Sequence, residues 1–285
     1  MRDCAGRPRH ERLAVLAAAI LVVLIVGAPA IAGDNRDAKT PSGLGLQLGR
    51  ARSQRNQPPA QPQAPRDFLF GRPRGWVALR GSWLMPRAGG ELFTFVSDQL
   101  TVEKGDFNAP AMTGEVGFTI TSRIQASGGV EFSRQTIGSE YRRFVDNRGD
   151  PINQRTTLSQ TIVSGSVKIA MLDRGRSISR LAFVPRAIAP YVGAGAGALF
   201  YEFKQVGDFV DSATLRVFAD LFRSQGWTPS AHVFGGTDVR LWRQLFLDVE
   251  GRYVWAHGDL GSDFVGFDGI DLDGFRLSTG ISVVF

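Results

Sequence analysis

Between Leu245 and Ala256 the chain alternates with a period of two, and every charge falls on one side. Leu245, Leu247, Val249, Gly251, Tyr253 and Trp255 carry none, while Asp248, Glu250 and Arg252 sit among the intervening positions. Only an extended strand sends successive side chains to opposite faces. The pattern recurs at the chain end, where Phe275, Leu277, Thr279, Ile281, Val283 and Phe285 oppose Arg276, Ser278, Gly280, Ser282 and Val284. It also recurs around Val77–Met85, Met112–Ile120, Ile124–Phe132 and Val163–Ile169, and more weakly at about Tyr191–Phe203 and Ser230–Leu241. Eight segments of this kind predict an all-β chain. The architecture expected is an eight-stranded antiparallel up-and-down transmembrane β-barrel, with long extracellular loops and mostly short periplasmic turns.

The connections alternate in length, as such a barrel requires. Pro86–Ala111, Arg134–Thr157, Lys204–Pro229 and His257–Leu272 are read as long loops. Thr121–Arg123 and Trp242–Gln244 are tight, and Leu172–Ala189 is longer than a simple turn needs. Two of the long loops hold apolar residues at helical spacing: Leu92, Phe93, Val96 and Leu100, and Leu215, Phe218, Leu221 and Phe222. Each stripe is read as a short helix packed on the barrel or over its mouth.

Alternation alone does not say which face points inward, because a lipocalin-like barrel buries its apolar face. Two features favour apolar residues outward. The polar faces carry both signs, with Arg80, Lys168, Arg252 and Arg276 against Glu115, Glu131 and Glu250, which can neutralise one another inside a narrow lumen. Trp83, Tyr253, Trp255 and Phe275 fall near strand ends on the apolar face, as interface girdles do.

The N-terminal quarter has a different composition, and every aromatic residue lies at or after Phe68. Arg2, Arg7, Arg9 and Arg12 precede the uninterrupted apolar run Leu13–Val26, and Ala30 and Ala32 supply small residues before Gly33. This is the order of a cleaved secretory signal, so residues 1–32 are read as a signal peptide with Ala30 and Ala32 at the cleavage site. The lone Cys4 would leave with it, excluding a disulfide framework in the mature chain. Residues 33–67 mix Pro58, Pro59, Pro62 and Pro65 with glutamines and carry six basic residues against three Asp. They are read as a disordered basic linker. Residues 68–285, the barrel, hold 23 basic and 22 acidic residues. That near-neutrality removes the electrostatic motive for nucleic-acid binding.

The last eight residues, Ser278 to Phe285, place a polar residue, then Gly280, then hydrophobes through Val283 to a terminal Phe285. With LDVEGRYVWA at 247–256 and APYVGAGAGALFYEF at 189–203, the chain resembles the outer-membrane protein β-barrel domain family, similar to the membrane domain of outer-membrane protein A. The resemblance covers about 68–285. It implies location in the outer membrane of a Gram-negative-type bacterium, contact with outer-membrane lipid, and insertion by the barrel-assembly machinery. That machinery would read Ser278, Gly280, Val283 and Phe285 as an assembly signal. The resemblance does not extend to a peptidoglycan-binding domain, so a wall-anchoring role is not expected from it.

Motifs for chemistry are sparse. Gly193, Gly195 and Ala198 fit a dinucleotide fingerprint on paper, but a strand-like run follows where a helix is needed, so close strand packing is the expectation. Ser230 and His232 share a strand face, with Glu250 on another strand, yet their order does not match the lipid A deacylase barrels, and a hydrogen-bonded lumen histidine is expected. Asp259, Asp263, Asp268, Asp271 and Asp273 make an acidic loop, but Gly269 stands where an EF-hand needs a ligand, so a solvated loop is expected. No enzyme activity, cofactor or metal is expected. The sequence reading is a monomeric integral outer-membrane barrel with a structural or surface-interaction role. Arg80, Glu115, Glu131, Lys168, Glu250, Arg252 and Arg276 would fill its interior as ion pairs, and its loops would be free for an unknown surface ligand. A porin-like narrow channel for small or apolar solutes and an outer-membrane lipid hydrolase are the alternatives.

Overall fold

The computed structural model describes residues 69–146, 148–179, 182–211 and 214–285. The signal peptide and the linker, read as residues 1–32 and 33–67, lie outside the described residues. Eight long strands form the body: β1 (Gly75–Pro86), β2 (Ala109–Thr119), β3 (Ile124–Val145), β4 (Pro151–Ala170), β5 (Ile188–Val210), β6 (Val217–Arg240), β7 (Leu245–Gly258) and β8 (Gly274–Val284). Each pairs antiparallel with its sequence neighbours, and β8 returns to pair with β1, from Gly274 opposite Pro86 to Val284 opposite Trp76. The ring is closed over the height of the short strands, so there every strand has a partner on both sides; beyond Ser133 in β3 and before Ser230 in β6 the ladder continues on one side only.

The apolar positions of each zigzag face outward. Met112, Phe118 and Trp83 are 63%, 59% and 50% exposed, and Leu79, Val130, Val163, Leu277 and Ile281 are also exposed. Their neighbours point into the barrel and are buried, among them Arg80, Glu115, Glu131, Lys168, Glu250, Arg252 and Arg276. An outer surface of this composition is unfavourable against water and favourable against acyl chains. The face assignment made from the charges therefore holds.

The barrel is lopsided in height. β3, β4, β5 and β6 have 22, 20, 23 and 24 residues, whereas β1, β2, β7 and β8 have 12, 11, 14 and 11. A bilayer needs about 9–11 residues per tilted strand. The four tall strands overshoot it by about as much again and form a wall above one side. Most of Arg134–Thr157 and Lys204–Pro229, read as loops, is strand in this wall, and the connections shrink to 146–150 and 211–216. The physical reason lies on the outer face. Where it leaves the lipid, Val130 and Phe132 give way to Arg134 and Thr136, and Trp227 gives way to Gln225 and Arg223. Alternation of apolar with polar disappears although the strand continues.

The helix expected at Leu215–Phe222 is likewise a correction. Phe218, Leu221 and Phe222 lie in β6, paired with β5 from Val217 opposite Val210 downward, and Leu215 sits in the connection with φ +55°. Three apolar residues in a short run fit helical spacing and a paired strand equally well, and sheet pairing decides. The other stripe does form a helix, α1 (Gly90–Gln99), in the β1–β2 connection. Its Leu92, Phe93 and Val96 are buried against inward side chains of the wall and of β7, including Leu158, Ile162, Leu199, Phe203 and Val254. Phe264 and Leu272 from the β7–β8 connection complete this apolar lid.

At the opposite rim, the long connection Leu172–Ala189 contains two short strands, Gly175–Ser179 and Ala182–Pro185, the second of which pairs with Leu69–Phe70. Phe183 and Leu69 pack with Trp76, Ala78, Phe246 and Val284 at the base of the lumen. The tight turns expected at 121–123 and 242–244 are present.

Candidate functional site

Among the described residues, charged, aromatic and polar side chains converge in the barrel interior, stacked in layers. Lowest is the Trp76–Phe183–Phe246 cluster. Above it Lys168 Nζ donates to Asp238 at 2.9 Å and lies 3.4 Å from the centre of the Tyr191 ring. Arg174, reaching in from the short-turn rim, donates to the same Asp238 carboxylate. Asp248 faces Asp238 across the β6–β7 pair. Next, Tyr191 Oη donates to Glu250 at 3.0 Å, and Arg252 Nη2 lies 2.8 Å from Glu250. Arg80 pairs with Glu115, which also accepts from Ser127. Arg276 is fully buried and pairs with Glu131, while its Nη2 donates to Gln160 at 3.1 Å. The apolar lid closes the stack from above.

The seven charged residues named from the sequence are all buried in this lumen, in the pairs Arg80–Glu115, Arg276–Glu131 and Arg252–Glu250, with Lys168 on Asp238. Asp238, Asp248, Arg174 and Tyr191 belong to it as well. The first lies on the weakest strand, where alternation runs through Gly235 and Gly236, and Arg174 comes from a turn with no periodic signal. Asp248 was visible on the charged face of β7.

Room for these large groups comes from small residues beside them. Gly193, Gly195 and Gly197 line one inward stripe of β5, and a Cβ on Gly195 would collide with the His232 ring and the Gly165 carbonyl. The paper fingerprint at Gly193, Gly195 and Ala198 is therefore close strand packing. Gly280 lies against the backbone of Leu79 and Arg80, which a Cβ would strike. In the same terminal segment, Ser278 and Ser82 hydroxyls are 2.9 Å apart inside the barrel, and the Phe285 carbonyl accepts from Arg74 and Gly75. Val283 and Phe285 point outward. Ser278, Gly280 and Val283 sit on β8, which closes the ring, and Phe285 directly follows it.

The arrangement does not assemble a hydrolytic triad from the candidates. His232 Nε2 lies 2.9 Å from Ser166 Oγ, and Ser230 Oγ has no hydrogen-bond partner. Glu250 is engaged by Tyr191 and Arg252. Between His232, Glu115, Glu131 and Arg252 the gap is about 10 Å³, space for the centre of one water and no more.

The acidic loop is less solvated than expected at one end. Asp271 and Asp273 are buried, and their carboxylates accept backbone N–H groups from Asp273 and Ala256. His257 lies 3.9 Å and 3.8 Å from them, and among the described residues this trio alone brings three such ligand atoms within 4.8 Å of one another. Arg87, 4.0 Å from Asp273, already supplies positive charge there. Asp263 accepts the Arg223 backbone N–H at 3.0 Å.

No protein-family model and no curated sequence matches the chain. Solved structures do share its outline. Neisserial surface protein A is 13% identical over 74% of this chain and 97% of its own, with a TM-score of 0.39. The N-terminal β-barrel domain of Pseudomonas aeruginosa OprF is 12% identical over 75% and 100%, at 0.32, and outer membrane protein OprG of the same organism is 11% identical over 76% and 99%, at 0.35. Superpositions this loose carry no argument, and the assignment rests on the barrel's own geometry. A closed ring of eight antiparallel strands, apolar outside and ionic inside, with Gly75 and Phe285 together on the short-turn rim, is the architecture of a membrane-spanning β-barrel.

Proposed function

We propose that the protein is a monomeric, non-conducting barrel with a structural or surface-interaction role, carried by the wall and connections above the membrane. The observation that supports this most is the filling of the lumen. An eight-stranded barrel is just wide enough for side chains to occupy it. Here an apolar base, the ion-pair network and the α1 lid follow one another along its axis. A steady ion path would require breaking buried pairs such as Arg276–Glu131, and each broken pair leaves an uncompensated charge. No catalytic role is proposed, since the gap beside His232 has room for the centre of one water only and Glu250 is held by Tyr191 and Arg252. The terminal strand, whose Gly280 and Phe285 fit the closing seam, is proposed as the segment the barrel-assembly machinery engages.

The test is conductance in planar bilayers. Folded protein, verified by its faster gel migration before heating, is expected to give no reproducible open step. A steady, reproducible channel from the folded form would replace this reading with the narrow-channel one.

A further inference from the structure

The two rims of the barrel carry opposite charge. Connections 87–108, 146–150, 211–216 and 259–273 hold twelve acidic side chains against four basic ones. The described residues of the short-turn rim (69–76, 118–125, 170–179, 182–189 and 240–246) hold eight arginines, no lysine and one acidic side chain, Asp173. Three of the arginines are engaged: Arg123 with Asp173 at 2.8 Å, Arg174 with Asp238, and Arg240 with the Pro185 carbonyl at 3.0 Å. Arg72, Arg74, Arg176, Arg186 and Arg243 are exposed, and none has an ion pair among the described residues. These five arginines are not a by-product of interior pairing, because they lie outside the lumen.

We propose that this arginine collar binds the phosphate headgroups of anionic phospholipids in the leaflet at the short-turn rim. The inference rests on the membrane reading of the barrel. Lipid is favoured over a soluble acidic polymer by the level of the arginines. Arg243 follows Trp242, which is 72% exposed, Arg186 is two residues from exposed Ile188, and Arg123 precedes exposed Ile124. Guanidinium groups therefore emerge where the apolar belt ends, at the height of a headgroup. Arginine is also the cation whose planar fork matches phosphate oxygens two at a time.

The protein would be folded into vesicles of equimolar phosphatidylcholine and phosphatidylglycerol, solubilised gently, and its retained lipids counted by native mass spectrometry. Wild type is expected to retain phosphatidylglycerol over phosphatidylcholine by about fivefold or more, the enrichment that even one near-surface arginine supports. R72Q/R74Q/R186Q/R243Q should fall towards parity. K104Q/R143Q/R148Q/R216Q, which removes as many cations from the opposite side, should keep the wild-type ratio. Parity for the wild type in a sample that shows the compact unheated gel band would overturn the collar, as would equal loss in both variants. Binding of polyglutamate by detergent-solubilised wild type, without phosphatidylglycerol enrichment, would assign the rim to a soluble polyanion and overturn it too. Absence of the compact band would overturn the membrane reading, and the collar with it.

Discussion

Arg276→Leu is expected to lower unfolding stability by about 3–5 kcal/mol, the usual cost of removing one member of a buried charge pair. Arg276 is completely buried, and its guanidinium holds Glu131, Gln160 and the Gly274 carbonyl at once. Removing it leaves the Glu131 carboxylate inside a low-dielectric lumen, with the Thr113 hydroxyl, 3.3 Å away, as its remaining hydrogen-bond donor. The double variant Glu131→Leu/Arg276→Leu should recover most of the loss, because two apolar groups of similar bulk replace a pair whose desolvation was itself costly. Urea unfolding from lipid vesicles, followed by tryptophan fluorescence, checks both. Equal destabilisation in the single and double variants would mean that packing of the arginine stem matters more than its charge.

Leu79→Arg is the complementary experiment on the outer face. Leu79 is 54% exposed and lies midway along β1 between Gly75 and Trp83, opposite Ile281 of β8. An arginine there would project into the middle of the hydrocarbon layer at a cost of about 2–4 kcal/mol. The same change at Asn153, exposed on the wall above the belt, should alter stability by about 0.5 kcal/mol or less. The same unfolding assay reads both variants. A neutral Leu79→Arg would mean that this face meets water.

How legible the fold was depends on where each strand sits. β7 and β8 stay within the lipid over nearly their whole length, so Leu247, Val249, Leu277 and Ile281 alternate cleanly with buried charges and their bounds could be read within a few residues. β3 to β6 rise into solvent, and above Phe132 and Trp227 both faces become mixed, because the outer face needs polar groups while the inner one packs on the lid. A two-fold pattern carries no signal there. α1 was readable because its buried residues Leu92, Phe93 and Val96 repeat at helical spacing in a segment without strand alternation.

The site was legible by sign and only partly by partner. Finding charges of both signs on the inner face pointed to a neutralised lumen, but which pairs form depends on shear and register. Arg276 reaches Glu131 on β3, and Lys168 reaches Asp238 on β6, neither on an adjacent strand. Tyr191 and Arg174 entered the network from positions with no charge pattern to mark them.

The direction of the zigzag faces is the claim beneath all of this, and acyl-chain quenching reads it most directly. Two variants would each keep one tryptophan, Trp83 or Trp76, with phenylalanine at the other tryptophan positions. Both would be folded into vesicles whose phospholipids carry bromine on their acyl chains. Trp83, 50% exposed on the outer face, should be strongly quenched, whereas Trp76, 3% exposed inside the barrel base, should keep its emission. Quenching of Trp76 with Trp83 spared, or bright emission from both in a protein that stays dissolved without detergent, would contradict the account.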